Sequence, residues 1–259
     1  MSVSENLITA NFSNPEGPLE DSEIFEIHRN LFQKLGGRPN LPLPDNWMNT
    51  DAVEQAQRKL KNVLSKYITS DNDHNIWGFK DPSMNSFLPL WFSLFNSLRV
   101  IPVFILSIRD PKTTVASLSK QYNQPQHLGE LNWLTRNIDA LHNTSTDCFI
   151  VHYEDWFTRP QELAQDLLYY TGLNNYFSGN LDSVLKDRIK PNLNRAISEN
   201  YTIKNPYVIK LYEHLKDCRG YDFDRNKLMS VVKECRQAMD GFKGWYLTAQ
   251  ENIALVSNL

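Results

Sequence analysis

Residues 100–121, VIPVFILSIRDPKTTVASLSKQ, decide how this chain is expected to fold. The apolar, β-branched first half is long enough for a buried strand and too short to span a membrane. The run ends at Arg109, after which Asp110 is a good N-cap and Pro111 suits the first position of a helix. The sequence therefore predicts a strand over 100–108 that is followed at once by a helix.

On this prediction, Arg109 lies where a buried strand ends and a helix begins. Open α/β sheets bind their ligands at such places. A fixed positive charge beside the positive end of a helix dipole suits an anion such as phosphate. The competing structural interpretation is an arginine that pairs with a nearby carboxylate. Arg109 is the first candidate binding residue of the chain.

Two other segments repeat the same order of a short apolar run, a charged turn and a helical pattern. Residues 76–80 (IWGFK) precede Asp81, and residues 148–153 (CFIVHY) precede Glu154. Three strand–turn–helix units predict an α/β fold with a central parallel sheet, whose strands end at one shared edge. The chain after Asn174 shows helical patterns and loops.

Apolar residues at helical spacing predict the helices. The predicted helices cover 22–35, 51–68, 84–98, 111–121, 129–143 and 160–171. Asp51 and Glu54 have the spacing of a capping box at the start of the second helix. Residues 1–20 are predicted to be irregular, 38–46 to be a loop and 70–75 to be a turn.

The composition limits the class of protein. A chain of 259 residues with 41% hydrophobic residues is expected to form a single domain over 1–259. Its net charge of −3 provides no basic field for nucleic acid or for an anionic membrane surface. Since no His/Cys/Asp/Glu cluster has the spacing of metal ligands, no metal is expected.

The cysteines and the N-terminal residues bear on the compartment. Cys148, Cys218 and Cys235 form no CxxC pair, and their odd number argues against a disulfide framework. We therefore expect three buried, reduced thiols. The sequence shows neither a signal peptide nor an apolar run of about 20 residues that could span a membrane. A cytoplasmic protein is the default expectation.

Three segments carry a family resemblance. WGFKDP (77–82), IRDPKTTVASL (108–118) and HYEDWFTRPQELAQDLLYYTGL (152–173) together resemble the sulfotransferases that use 3′-phosphoadenosine-5′-phosphosulfate (PAPS), above all their bacterial members. The resemblance extends over residues 14–195. It implies a three-layer αβα fold of the P-loop NTPase-like type, with a central parallel sheet. It also implies an enzyme that transfers a sulfuryl group from PAPS to a hydroxyl group of a carbohydrate or small-molecule acceptor.

The resemblance assigns roles to residues at the predicted strand ends. Arg109, with Ser117 eight residues later, would bind the 3′-phosphate, and Tyr153 would lie against the adenine. Because Ser117 stands about 10 Å along the predicted helix, this pairing requires the helix start to curl over the phosphate. A packing serine and a core tyrosine are the structural alternatives. Glu154 and Asp155 are predicted to cap the next helix or to hold a basic residue in place.

The chain departs from the family at two places. The glycine- and hydroxyl-rich loop that cradles the 5′-phosphosulfate is not found, and Gly36-Gly37 is the one adjacent pair of glycines. The first strand and this loop are therefore expected to be missing. Cytosolic members carry a catalytic histidine two residues after a strand-end lysine, and Pro82 occupies that position here.

Lys80 and Glu20 are the catalytic candidates. Lys80 would stabilise the charge on the sulfuryl group, and Glu20 would take the proton of the acceptor hydroxyl. The structural alternatives are a surface ion pair for Lys80 and a helix-terminal charge for Glu20. His28 and Asp81 are weaker candidates for the base.

Three functions stay open at this point. The first is the sulfotransferase, and the second is a degenerate domain of that type that binds a nucleotide, a glycan or a protein without catalysis. The third is another nucleotide-dependent transferase such as a kinase, which would need a phosphate loop and metal-binding carboxylates. Lys190, Asn194 and Arg195 form a basic segment that would contact the cofactor or an anionic acceptor, or else begin a solvated helix.

Overall fold

The computed structural model describes residues 7–9, 17, 19–37, 42–68, 76–191 and 201–257, the last fifteen of these by their backbone alone. The predicted turn over 70–75 and the candidates Asn194 and Arg195 lie outside the described residues. The chain divides into two compact units, Met1–Pro102 and Val103–Leu259. The single domain expected from the length stays a prediction.

Helices account for most of what is described in the first unit. They are α1 (Ser22–Lys34), α2 (Asp51–Ile68) and α3 (Met84–Leu98), with a 3₁₀ turn at Trp47–Asn49. α1 begins where it does because the Asp21 carboxylate accepts the Ile24 N–H at 3.0 Å. α1 and α2 pack together over a core of fully buried side chains that includes Ile24, Leu31, Leu60, Leu64, Phe87, Leu90, Trp91 and Leu94.

A series of stacked aromatic rings runs from this core to the half-buried side of the first unit. Trp91 is fully buried, and the Phe79 ring lies 4.7 Å from it, centroid to centroid. Trp77 stacks on Phe79 at 4.7 Å, and Tyr67 stacks on Trp77 at 4.8 Å. Each offset-stacked pair adds roughly 0.5–1.5 kcal/mol beyond the burial of its area. The stack fixes the segment that leads into Lys80.

The second unit contains the sheet. β1 (Ile105–Ile108) and β2 (Phe149–His152) are parallel, with Ile105 opposite Phe149 and Ile108 opposite His152. The crossover between them consists of α4 (Pro111–Tyr122) and α5 (Gln126–Asn143). The helices that follow β2 are α6 (Asp155–Thr158), α7 (Pro160–Tyr170), α8 (Leu181–Arg188), α9 (Pro206–Leu215) and α10 (Arg225–Ser257), with a 3₁₀ turn at Leu173–Asn175.

The position of α4 depends on close packing against α5. A Cβ atom at Gly129 of α5 would lie 3.3 Å from a methyl group of Val115, which is itself fully buried. Glycine therefore allows the two helices to approach each other directly. The core beneath them includes Trp133, Leu134 and Ile138 of α5. Because α4 starts at the end of β1, this packing also fixes the turn that carries Arg109.

The α/β class is confirmed, since the described chain is mostly helical with a two-stranded parallel sheet. The predicted strand over 76–80 is wrong, because only Trp77 makes an isolated bridge. Trp77 and Phe79 stack on one side of the segment as in an extended chain, but no ladder forms in the described residues. β1 is shorter than predicted and covers Ile105–Ile108; the predicted run is interrupted at Pro102, which has no N–H to donate to a ladder.

The predicted capping box of Asp51 and Glu54 is also wrong. Thr50 has an extended backbone, and its Oγ1 accepts the Val53 N–H at 3.4 Å while its carbonyl accepts the same N–H at 2.9 Å. Asp51 is already inside α2. Thr50 is therefore the N-cap, and Asp51 and Glu54 are first-turn acids that complement the helix dipole.

Candidate functional site

The ends of β1 and β2 bring together four residues, Arg109, Asp110, Tyr153 and Glu154, which we call the strand-end cluster. The strands are parallel and in register, so their carboxyl ends meet at one edge of the sheet. The Tyr153 N–H donates to the Ile108 carbonyl at 2.7 Å and carries the pairing one residue past β2. For these two strands, the shared edge predicted from the sequence is confirmed.

The side chains of Arg109 and Tyr153 contact each other within this cluster. The guanidinium carbon of Arg109 lies 4.3 Å from the centroid of the Tyr153 ring. The electrostatic attraction of a cation to a ring face is worth about 0.5–2 kcal/mol. Phe157 meets the same ring edge-on at 5.2 Å. The Tyr153 ring thus has both a cation and an aromatic neighbour.

Asp110 and Glu154 tie the two strand ends to each other. The Asp110 carboxylate accepts the Thr113 N–H at 3.0 Å and caps α4 as predicted. The Glu154 carboxylate accepts the Asp110 N–H at 3.2 Å. Glu154, which lies in the turn after β2, thus fixes the turn after β1. This hydrogen bond joins residues 44 positions apart.

Asp155 holds two arginines just beyond the cluster. Its side chain is 9% exposed, and its Oδ2 accepts from Arg219 Nε at 3.0 Å and from Arg159 at 3.3 Å. A buried carboxylate requires such partners. The prediction that Asp155 holds a basic residue is confirmed, whereas Arg219 was not found by sequence reasoning because it stands alone in a loop after α9.

Trp133 of α5 and Tyr212 of α9 reach the strand-end cluster from the helices. Trp133 Nε1 donates to the Arg109 carbonyl at 2.9 Å, and the Trp133 and Tyr212 rings meet edge-on at 6.0 Å. Burial, together with the charges of Asp110 and Glu154, raises the pKa of the Tyr212 hydroxyl. Sequence reasoning missed both residues, since each lies in an apolar helical stripe that predicts only packing.

Ser117, the second predicted phosphate ligand, lies half-buried on α4. No hydrogen bond joins its hydroxyl to any of the described residues. Its distance along the helix from the N-terminus is about 10 Å, as the helical rise requires. The structure therefore brings the side chains of Arg109 and Tyr153 into contact, whereas the Ser117 hydroxyl is hydrogen-bonded to neither of them.

In the first unit, the two catalytic candidates contact each other. Lys80 Nζ donates to Glu20 Oε1 at 2.6 Å, with the lysine side chain 58% exposed and the glutamate side chain 8% exposed. The preceding Leu19 is 56% exposed and has a φ of 56°, in the left-handed region that leucine rarely adopts. This conformation turns the chain so that an apolar side chain faces solvent and the neighbouring carboxylate faces Lys80.

The weaker candidates for the base, His28 and Asp81, lie inside the first unit. Trp91 Nε1 donates to His28 Nε2 at 3.0 Å, so the imidazole proton is on Nδ1 and is donated to Asp81 at 2.9 Å. Both side chains are at most 2% exposed. Burial alone would raise the pKa of Asp81, but hydrogen bonds from His28 and the Ser83 N–H, with the charge of Lys80, lower it below the usual range. This buried chain of hydrogen bonds connects α1 to α3 and gives no access to a substrate.

The thiols are buried and unreactive. Cys148, Cys218 and Cys235 are free, and burial raises the pKa of Cys148 to about 12 and that of Cys235 to about 11. A thiol that stays protonated is a poor nucleophile and a poor metal ligand. Within the described residues, no group of three or more His, Cys, Asp or Glu side chains is placed to hold a metal ion.

Comparison with protein-family models, with curated proteins and with solved structures finds no match for this chain. Among its described helices, none combines the length and the apolar composition needed to cross a membrane.

Proposed function

We propose that this chain is a sulfotransferase-type protein that binds a 3′-phosphorylated adenine nucleotide at the strand-end cluster. The observation that carries the proposal is the stacked pair of Arg109 and Tyr153 at the carboxyl edge of two parallel strands. An arginine is suited to bidentate contact with phosphate, and an aromatic ring beside it is suited to a purine.

The fit to the nucleotide is partial. Arg109 would hold the 3′-phosphate, Tyr153 would lie against the adenine, and Ser117 would join them if the nucleotide bridges the start of α4. The described residues contain no glycine-rich cradle for the 5′-phosphosulfate. PAPS itself would be the sulfuryl donor and would supply the activated sulfate.

In the reaction, the bond from sulfur to the 5′-phosphate oxygen breaks as the acceptor hydroxyl oxygen bonds to sulfur, and the hydroxyl proton goes to a base. Glu20 stays the predicted base and Lys80 the predicted partner of the sulfuryl charge. Both lie in the first unit, where the exposed lysine donates to the nearly buried glutamate. The acceptor would be a carbohydrate or a small molecule.

We also propose that the sheet belongs to a three-layer αβα arrangement. Support comes from the parallel crossover β1–α4–α5–β2 and from the contacts of α6 and α7 with β2. Parallel sheets are covered on both faces, so a pair of strands with helices on it favours this architecture. The cytoplasmic location expected from the sequence is likewise a proposal.

The proposal is tested by thermal unfolding with 3′-phosphoadenosine-5′-phosphate (PAP), with AMP and ATP for comparison. At a hundred times the dissociation constant, a ligand that binds only the folded state adds about 2.7 kcal/mol to the free energy of unfolding. We expect a rise in Tm with PAP alone, which Arg109→Ala abolishes. Arg188→Ala is the matched control, since Arg188 is exposed on α8 and, among the described residues, forms an ion pair with Asp187. An equal rise with AMP, or none with any nucleotide, would contradict the proposal.

The second candidate function is a non-catalytic binding domain of the same type. Pro82, which cannot accept a proton, favours it, and so does the pairing of Lys80 with Glu20, which occupies both groups. Labelled PAPS separates the two functions. A domain that binds PAP but transfers no label to a panel of sugars and phenols, in wild type and Glu20→Gln alike, would be a binding domain.

A further inference from the structure

Asp155, which follows the carboxyl end of β2, holds two arginines on one oxygen atom. Its Oδ2 accepts from Arg219 Nε at 3.0 Å and from Arg159 Nη2 at 3.3 Å. Because both nitrogens bond the same atom, the two guanidinium groups are direct neighbours. We call Arg159 and Arg219 the arginine pair.

The arginine pair carries more positive charge than its protein partners neutralise. Asp155 supplies one negative charge for two guanidinium groups. Glu162, the second carboxylate that pairs with Arg159, lies 3.8 Å from its Nη1, which is too far for a hydrogen bond, and is 73% exposed. Water screens an ion pair of this kind, so it contributes little. An anion that reaches the arginine pair would therefore meet two cations and only one strongly held carboxylate.

Both guanidinium groups keep N–H donors for such an anion. Arg219 donates through Nε to Asp155 and through Nη1 to the Lys216 carbonyl, and its Nη2 has no hydrogen bond to any of the described residues. Arg159 donates through Nη2, and its side chain is 30% exposed against 44% for Arg219. Solvent therefore reaches the pair. The planar fork of five N–H groups in each arginine suits the oxygens of phosphate or sulfate.

The sheet holds the arginine pair in place. Asp155 is the first residue of α6, directly after β2. Arg219 precedes Gly220, whose backbone exchanges two hydrogen bonds with Ile150 of β2 at 2.8 and 2.9 Å. Gly220 has a φ of 66°, a conformation that glycine adopts readily and that turns the loop after α9 onto the strand. A site whose groups are already fixed loses less conformational entropy when a ligand binds.

We infer that Arg159 and Arg219 form a binding site for a tetrahedral oxyanion, a phosphate or sulfate group, at the carboxyl end of β2. The inference goes beyond the proposed function, since it requires neither Arg109 nor an adenine nucleotide. The oxyanion is either free in solution or part of a larger ligand. The structural alternative is an arginine pair that only ties α7 and the loop after α9 to Asp155.

The test is a titration with inorganic phosphate at constant ionic strength, followed through the NMR resonances of the arginine Nε–H groups. Wild type is compared with Arg159→Lys and Arg219→Lys, and the loss of one resonance in each variant assigns it. Lysine keeps a positive charge beside Asp155 but replaces the planar fork by a single ammonium group. Arg188→Lys is the matched control, since Arg188 is exposed on α8 and, among the described residues, pairs with Asp187.

We expect both resonances to shift with saturation in wild type and in Arg188→Lys. Phosphate should bind about tenfold more weakly to each lysine variant of the pair, the loss that one hydrogen bond to a charged group predicts. Shifts that grow linearly with phosphate, or equal affinity in all four proteins, would overturn the inference. Thermal unfolding of the wild type needs no variant: phosphate should raise its Tm above the value in chloride of equal ionic strength, and no rise would overturn the inference.

Titration with PAP separates the two sources of the oxyanion. If the oxyanion belongs to a bound nucleotide, Arg219→Lys weakens the binding of PAP as well as that of phosphate. If the site takes a free oxyanion, Arg219→Lys weakens the binding of phosphate alone. Both results support the inference, provided that phosphate binding is weakened. A wild-type protein that does not bind PAP would contradict the proposed function, and the phosphate titration would still decide on the arginine pair.

Discussion

At the scale of single residues, hydrogen-bonded carboxylates organise the second unit. Asp155 holds two arginines, Asp110 caps α4, and Glu130 accepts the N–H groups of Lys204 and Asn205 at 3.1 and 2.7 Å. Each of these carboxylates joins segments far apart in the sequence or fixes the start of a helix. Their satisfied oxygens explain how acidic side chains can lie inside the protein.

Replacing Asp155 tests how much such a carboxylate contributes. Asp155→Asn keeps the shape but removes the charge that Arg159 and Arg219 share, and hydrogen bonds to charged groups contribute about 1.5–3 kcal/mol. Because both arginines are partly exposed and can be solvated, we expect the free energy of unfolding to fall by roughly 1–2 kcal/mol. Urea denaturation measures this loss. Asp187→Asn, at a carboxylate that is 75% exposed, should change stability by less than about 0.5 kcal/mol.

Asp81 predicts a dependence of stability on pH. Its pKa is lower in the folded protein than the ordinary aspartate value near 3.9, so the folded state holds its proton less tightly than the unfolded state. The resulting stabilisation is complete above about pH 5 and is lost as the pH falls through 4 toward the folded pKa. In urea denaturation, Asp81→Asn should be less stable than wild type near pH 7, and the difference should shrink at about pH 3. A difference independent of pH would contradict this role.

The site was predictable from the sequence only where its residues follow a strand. Arg109 and Tyr153 were expected to share an edge, and the contact between their side chains is observed. The pairing of Glu20 with Lys80 was not predictable, since sixty positions separate them and neither charge indicates a partner. The same holds for Trp133, whose apolar helical stripe predicts packing but not the hydrogen bond of its Nε1 to the Arg109 carbonyl.

At the scale of elements, the helices were predicted to within a few residues because apolar periodicity and caps determine them. α3 has the predicted bounds, Met84–Leu98, and α4 differs by one residue at its end. The predicted strand over 76–80 was wrong because a local pattern alone does not determine a strand. Alternating aromatic residues make a segment extended, but a strand also needs a neighbour, and a local pattern contains no information about the neighbour.

The correction at the start of α2 is testable. Thr50 is the observed N-cap, and loss of such a cap costs about 1 kcal/mol. Thr50→Ala should therefore lower the free energy of unfolding by about 1 kcal/mol in urea denaturation. Glu54→Gln should cost only a few tenths of a kcal/mol, about the size of a dipole interaction at an exposed site. A larger loss in Glu54→Gln than in Thr50→Ala would restore the capping box.

At the scale of the whole molecule, the α/β class and the parallel pairing were predicted from the sequence. The number of strands in the sheet could not be predicted from it. The segment 100–108 supplies one strand and 148–153 the other, and both are shorter than predicted. The number of strands in a sheet depends on contacts between distant segments. Those contacts have no local signature, in contrast to caps and periodicity.

The measurement that tests the central claim most directly is a crystal structure of the protein with PAP. The account predicts the nucleotide at the strand-end cluster, with its 3′-phosphate on the Arg109 guanidinium and its adenine against Tyr153. Nucleotide bound elsewhere on the chain, or crystals grown at saturating PAP in which Arg109 and Tyr153 contact only protein, would contradict it.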